Sequence, residues 1–238
     1  MTTNLLGNTE RVYIAMSTYC IADIHGCYGE FISLLELIGF DDSLDTIYVL
    51  GDAIDRGENS VDCLKFIMQK NSVRFLIGNH EQMMFDYIDK IDMYSWFENG
   101  GRETLSQIIA LPDAEYAEIM DFLRSCAYHE TLDVNGKRYF LSHAGLDTSR
   151  SIAHQTNEAL VWSRENFYGY QGLEGHTCIF GHTPTFFIHG SYDNYDVWFD
   201  PRHNDKICID SGCVYGGALA AIRLEDQEIF YIKKEDGA

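Results

Sequence analysis

Leu50-Gly51-Asp52-Ala53-Ile54-Asp55-Arg56-Gly57 is the stretch that decides how this chain of 238 residues is read. Two carboxylates and a guanidinium follow directly on an apolar run, Thr46-Ile47-Tyr48-Val49-Leu50. A surface turn needs some polarity, but it does not need this pairing. Asp52 stands where a strand would end, which aims its carboxylate into a cleft, and Gly51 and Gly57 let the backbone turn sharply. Opposite charges so placed suit the joint handling of a metal ion and an anion.

Working outward, the same grammar recurs on both sides. Upstream, an apolar strand over Thr18–Ala22 runs into Ala22-Asp23-Ile24-His25-Gly26. Phe31, Leu34, Leu35 and Ile38 then have helical spacing, and Gly39 ends that helix. Downstream, Val61, Leu64, Ile67 and Met68 predict a second helix, and a strand over Val73–Ile77 feeds Gly78-Asn79-His80-Glu81. A third helix follows through Met84, Tyr87, Ile88 and Ile91. Strand, polar loop and helix in repetition predict a largely parallel sheet with ligands at the carboxyl ends of its strands.

Residues 93–130 break that rhythm. Tyr116, Ile119, Met120 and Leu123 give Glu115–Arg124 a helical period, while Trp96–Gly101 reads as a turn-bearing loop, so the segment is a mostly helical insertion beside the site. The second half is richer in strands. Arg138–Ser142 leads to His143-Ala144-Gly145, Thr177–Phe180 to Gly181-His182-Thr183-Pro184, and Lys206–Ile209 to Asp210-Ser211-Gly212. Ala218–Leu224 and Glu228–Ile232 predict a closing hairpin. With no repeat or linker, residues 16–238 read as a single domain, and residues 1–15 as an N-terminal extension with Met16 an alternative start.

Composition narrows the partners. A net charge of -20 and a pI near 4.6 argue against nucleic acid and anionic membranes, since such binding rests on Lys and Arg. Seven unpaired-looking cysteines, several in apolar runs, indicate a reducing, cytoplasmic setting and small core residues. None has Arg six residues later, so a cysteine-nucleophile phosphatase loop is absent. Nothing in the sequence encodes an oligomeric state.

Asp23, His25, Asp52, Asn79, His80, His143 and His182 each follow a predicted apolar strand. A lone histidine beside a strand is ordinarily structural, but strands have no structural need to end repeatedly in Asp, Asn or His. Carboxylate, amide oxygen and imidazole without thiolate suit manganese, iron, zinc or magnesium. So many positions exceed one tetrahedral ion and divide over two, the arrangement that clamps phosphoryl groups. His129, His154, His176, His189 and His203 read as bystanders, and the aromatic-rich Phe186–Phe199 stretch as a packed loop, with a substrate rim as the alternative.

Asp23-x-His25-Gly26, Gly51-Asp52-x-x-Asp55-Arg56-Gly57, Gly78-Asn79-His80-Glu81, His143-Ala144-Gly145 and Gly181-His182-Thr183-Pro184 together resemble the signature of PPP-type calcineurin-like metallophosphoesterases. The small bacterial and phage serine/threonine protein phosphatases are the nearest likeness. The resemblance implies an α/β fold, a four-layer α/β/β/α sandwich of two mixed sheets. It implies that Asp23 and His25 bind one metal, that Asn79, His143 and His182 bind the other, and that Asp52 bridges them. It implies further that Arg56 and Arg164 hold phosphate oxygens, and that His80, oriented by Asp55, is the general acid. Tyr215, in a loop that resembles one near the family's site, would touch substrate. The cofactors would be two divalent transition-metal ions, manganese first, with iron or zinc as alternatives.

The expected activity is phosphomonoester hydrolysis of a phosphorylated protein or small phosphoester, with a metal-bridging hydroxide as nucleophile. Dinucleoside polyphosphate hydrolysis, as of diadenosine tetraphosphate, is the alternative. Ile77 resembles the apolar residue that diadenosine tetraphosphate hydrolases often have where protein phosphatases often carry Arg. Those hydrolases, however, tend to lack Asp55-Arg56-Gly57 and to have Asp in place of Glu81, and Trp96–Gly101 followed by Thr104 resembles the small bacterial protein phosphatases. Ala22, where the family usually has Gly, is a second departure. A non-catalytic phosphoprotein-binding module is the third reading, and it has no use for His80 and Asp55.

Overall fold

The computed structural model describes residues 16–234; the extension 1–15 lies outside them. Its first half alternates as the sequence predicts: β1 (Thr18–Ile21), α1 (Tyr28–Leu37), β2 (Thr46–Val49), α2 (Ser60–Gln69), β3 (Val73–Phe75) and α3 (Asn79–Ile88). α4 (Ser95–Glu98), α5 (Gly101–Ile109) and α6 (Asp113–Ser125) form the helical insertion. The second half holds β4 (His129–Val134), β5 (Lys137–Ser142), α7 (Asn157–Trp162), α8 (Glu165–Tyr168), β6 (Thr177–Phe180), α9 (Thr185–His189), β7 (Trp198–Phe199), β8 (Lys206–Cys208), β9 (Ala218–Arg223) and β10 (Ile229–Lys233).

The strands form two mixed five-stranded sheets, ordered β10-β9-β1-β2-β3 and β4-β5-β6-β8-β7. β1, β2 and β3 run parallel in the first, and β5, β6 and β8 in the second. Strand alternation builds three cores from these two sheets. Tyr19 and Ile21 face α1, α2, α3 and α6, whereas Cys20 and Ala22 meet Tyr139, Leu141 and Ile179 between the sheets. Phe140, Cys178 and Phe180, on the far face of the second sheet, pack against Leu160 and Val161 of α7 and Phe167 of α8. Apolar residues on both faces of a strand require a cover on each side, and the four-layer α/β/β/α sandwich follows.

Local differences from the sequence reading have local causes. The third helix stops at Ile88 rather than reaching Ile91, because Lys90 adopts a left-handed conformation (φ 60°). Trp96–Gly101 is a one-turn helix followed by a turn at Gly100, not a plain loop. β4 begins within the stretch read as insertion; its mostly exposed His129-Glu130-Thr131 start carries no apolar alternation to reveal it. α7 was not foreseen either; Thr156 caps it, its side chain accepting from the Ala159 N–H at 3.2 Å. All seven cysteines are free, and all but Cys126 are buried.

The carboxyl ends of the two parallel triplets meet at one end of the sandwich, and the approach is close. A Cβ added at Gly181, after β6, would lie 1.9 Å from Asp23 Oδ2 and 2.8 Å from the Ala22 Cβ, after β1. Gly181→Ala is therefore expected to lower stability by about 1–3 kcal/mol, the usual cost of overpacking. Urea denaturation checks this, and an unchanged midpoint would show that the sheets part freely at this seam.

Candidate active site

The seam gathers every strand-end residue singled out from the sequence. Asp23 and His25 follow β1, Asp52 follows β2, Asn79 and His80 open α3, His143 follows β5, and His182 follows β6. All seven are buried. Asp23, His25, Asp52, Asp55, Arg56 and His182 have φ between 45° and 73°, a region that side chains avoid unless their surroundings impose it. Such strain concentrated on one cluster of polar residues points to function.

One group of ligand-type atoms centres on Asp52, Asn79, His143 and His182. The His143 Nδ1–H donates to the Leu50 carbonyl at 2.8 Å, which fixes the tautomer and turns the Nε2 lone pair inward. That Nε2 lies 2.8 Å from Asn79 Oδ1, 3.2 Å from His182 Nδ1 and 3.4 Å from Asp52 Oδ2. Beside it, His25 donates Nδ1–H to the Ile54 carbonyl at 2.8 Å, and its Nε2 faces Asp52 Oδ2 at 3.5 Å. The Asp23 carboxylate accepts from the His182 N–H at 3.1 and 3.0 Å.

Electrostatics give the cluster its character. Burial lowers the pKa of His25, His143 and His182, so the imidazoles favour their neutral, ligating form. Burial, followed by the neighbouring Asp210 and Asp52 carboxylates, pushes Asp23 well above the usual carboxylate range. Burial also opposes the ionisation of Asp52; His143, His80 and His25 outweigh it where they carry a proton and hold its carboxyl below that range, with the His80 backbone N–H as a further donor. Acceptor atoms thus face acceptor atoms in a buried space, an arrangement that favours divalent cations. The donor set fits them: Asp52, Asn79, His143 and His182 could hold one ion, and His25 and Asp52, which the structure groups with His80, could hold a second with the Asp23 carboxylate expected from the sequence.

Arg56 reaches into this space. Its guanidinium donates to His25 Nε2 at 2.5 Å and to His80 Nε2 at 2.8 Å. His80 Nδ1–H in turn donates to Asp55 Oδ2 at 2.6 Å. Asp55 is fully buried and is aimed by the insertion: Trp96 Nε1–H donates to the same Oδ2 at 2.8 Å, and the Asp55 N–H reaches Ser60 Oγ and Thr104 Oγ1, each at 2.9 Å. Arg164 stands exposed beside His182, donating to Thr183 Oγ1 at 3.3 Å, and its charge helps to lower His182 and His143. Tyr215 is half-exposed, its ring 5.5 Å from Arg56 Cζ. Ile77 is buried in the core between α3 and the first sheet, so that position contributes nothing to the cleft.

Three residues matter here that the sequence reading left without a role. Glu81 accepts from the N–H groups of Asp52, Ala53 and Gly78 at 2.9, 3.0 and 3.0 Å, tying two strand-end loops together. Burial and the Asp52 carboxylate push its carboxyl up to about 8 against those donors. Asp210 follows β8 and is raised to about 7, chiefly by burial. It carries the same strand-then-carboxylate signal as Asp52. Trp96 belongs to the stretch that resembles the small bacterial protein phosphatases, but its contact with Asp55 spans 41 residues of chain and has no local signal. The bystander histidines keep away from the cluster: His129 stacks on Phe140, and His203 pairs with Asp200.

Comparison with known proteins agrees with this geometry. A symmetrical bis(5'-nucleosyl)-tetraphosphatase of Baumannia cicadellinicola is 37% identical, over 92% of this chain and 93% of its own. The enzyme of the same name from Nitrosospira multiformis is 29% identical, over 90% and 95%. A crystal structure provisionally named a diadenosine tetraphosphatase superposes with a TM-score of 0.70 at 20% identity, over 94% and 96% of the two chains, a likeness of fold. The calcineurin-like phosphoesterase family model matches residues 16–223, and the chain belongs to that family.

Proposed function

We propose that this metallophosphoesterase hydrolyses dinucleoside tetraphosphates symmetrically, in preference to the phosphoprotein phosphatase activity expected from the sequence. The observation that carries the reading is the end-to-end match to relatives bearing that name, including one at 37% identity. The cleft is consistent with it. Arg56, on His25 and His80, and Arg164, on Thr183, supply two guanidiniums beside the buried cluster for phosphate oxygens. Ile77, turned into the core, leaves out the additional guanidinium of the protein phosphatases.

In this reading Asp23, His25, Asp52, Asn79, His143 and His182 hold two divalent ions, which supply Lewis-acid stabilisation and acidify water when bound. Asp52, central to both groups of ligand atoms, is the shared carboxylate. Arg56 and Arg164 hold the non-bridging phosphate oxygens, and Tyr215 lines the approach. Water adds to one central phosphorus atom, the bridging P–O bond breaks, and both halves leave as nucleoside diphosphates. His80 Nε2 accepts from Arg56 here, so it carries a proton to a leaving group only after Arg56 has turned to phosphate. Asp55, on Nδ1, then stabilises the imidazolium.

A phosphomonoesterase reading has one observation in its favour. The buried Asp55–His80 pair is an acid for a poor leaving group such as a serine alkoxide, and a departing nucleoside diphosphate needs little such help. Turnover of diadenosine tetraphosphate and of a phosphoserine peptide by one preparation separates the two. The expected result is ADP as sole nucleotide product and kcat/KM at least about a hundredfold higher than on the peptide. AMP with ATP, or a preference for the peptide, would contradict the proposal.

His80→Asn is expected to cost about 10²–10⁴-fold on any phosphoserine turnover and clearly less on diadenosine tetraphosphate. Equal losses, with reduced bound metal, would instead make His80 a support for the Asn79 loop. Asp52→Asn is expected to weaken metal binding by about 10–100-fold or more, as read by equilibrium dialysis. Chelated protein should regain activity better with Mn2+ than with Mg2+, given three imidazole ligands, and the reverse order would argue against that ligand set.

A further inference from the structure

Beside Arg56 lies a group of aromatic rings that the reaction so far leaves without a part. Phe186 in α9 is buried at its centre, with ring centroids 4.3 Å from Phe187, 5.7 Å from Tyr192, 5.3 Å from Tyr195 and 6.2 Å from Tyr215. Phe187, Tyr192 and Tyr215 are 54%, 77% and 49% exposed. Single exposed rings are ordinary, but three gathered on one buried ring form an apolar patch of the kind that binds. The patch is continuous with the cleft, because Tyr215 touches Phe186 on one side and lies 5.5 Å from Arg56 Cζ on the other.

We propose that this shelf, Phe187 and Tyr192 above all, is a nucleobase subsite, receiving one base of a nucleotide whose phosphates lie on Arg56. The assignment rests on the tetraphosphatase reading and extends it to the base. The surroundings favour a single nucleoside over other occupants. Asp193 and Asp196 stand exposed on the same loop, in a chain of net charge -20. A polynucleotide would bring its phosphates against those carboxylates. A lone nucleotide leaves its phosphates at the guanidinium and offers the loop only ribose hydroxyls and ring amino groups, which donate to carboxylates. Stacking is tolerant of base identity, since every base has a π face, so ADP and GDP should bind alike.

The test is calorimetric binding of ADP and of pyrophosphate at fixed free Mn2+, to the parent and to the Phe187→Ala/Tyr192→Ala double variant. The parent is expected to bind ADP more tightly than pyrophosphate. The double variant should lose about tenfold in ADP affinity and keep its pyrophosphate affinity. Phe187→Tyr with Tyr192→Phe preserves both rings and should preserve ADP binding. Equal losses for both ligands, or unchanged ADP affinity, would overturn the proposal. Binding is read without turnover, so a parent that binds ADP on the shelf yet leaves diadenosine tetraphosphate intact would count against the tetraphosphatase reading alone.

Discussion

The Glu81 carboxylate, receiving three backbone N–H groups from two different loops, is the contact on which the site depends. The loop after β2 and the start of α3 would otherwise present unpaired buried donors, each costly in a water-free interior. With both tied to one carboxylate, Asp52 and Asn79 are fixed relative to each other. The His80 N–H then donates to Asp52 Oδ1 at 3.0 Å, closing the arrangement around the central carboxylate. Glu81 touches no substrate in this account. It sets the geometry in which Asp52 can serve two groups of ligand atoms at once.

Around that clamp the fold assembles charges that would not gather unaided. Asp23, Asp52 and Asp210 are buried together, and burial raises two of them. The cost is sustained by the three cores, which force the carboxyl ends of both parallel triplets into one seam. Divalent cations would remove much of that repulsion, so metal binding and fold stability should be linked. Arg56 stands between two tasks, contacting His25 and His80 in this structure and phosphate in the proposed reaction. Its movement would free His80 Nε2 when anionic substrate arrives, which couples binding to readiness for proton transfer.

Most of the architecture was legible because its signals are local. Apolar runs marked β1, β2, β5 and β6, and the Asp, Asn and His residues after them marked the seam. What escaped was set by tertiary contact. β4 is an exposed edge strand, recognisable only from its pairing with β5. Trp96 reaches Asp55 across the insertion, and no spacing rule encodes such a contact. Asp210 had the same local signal as Asp52 but stood outside the ligand set inferred from the family resemblance. The substrate was less legible still. The motifs fix a phosphoryl chemistry, whereas the aromatic shelf, which in the proposed reading would meet the rest of the substrate, lies outside them, as does Ile77.

The central claim is that Asp52 sits between two metal ions held where the carboxyl ends of the two sheets' parallel strands meet. Anomalous scattering from crystals grown with Mn2+ tests it most directly. The account predicts two peaks about 3.5–4 Å apart, one beside Asp23 and His25, the other beside Asn79, His143 and His182, with the Asp52 carboxylate between them. A single peak, or two peaks that leave Asp52 out of contact with either, would contradict it.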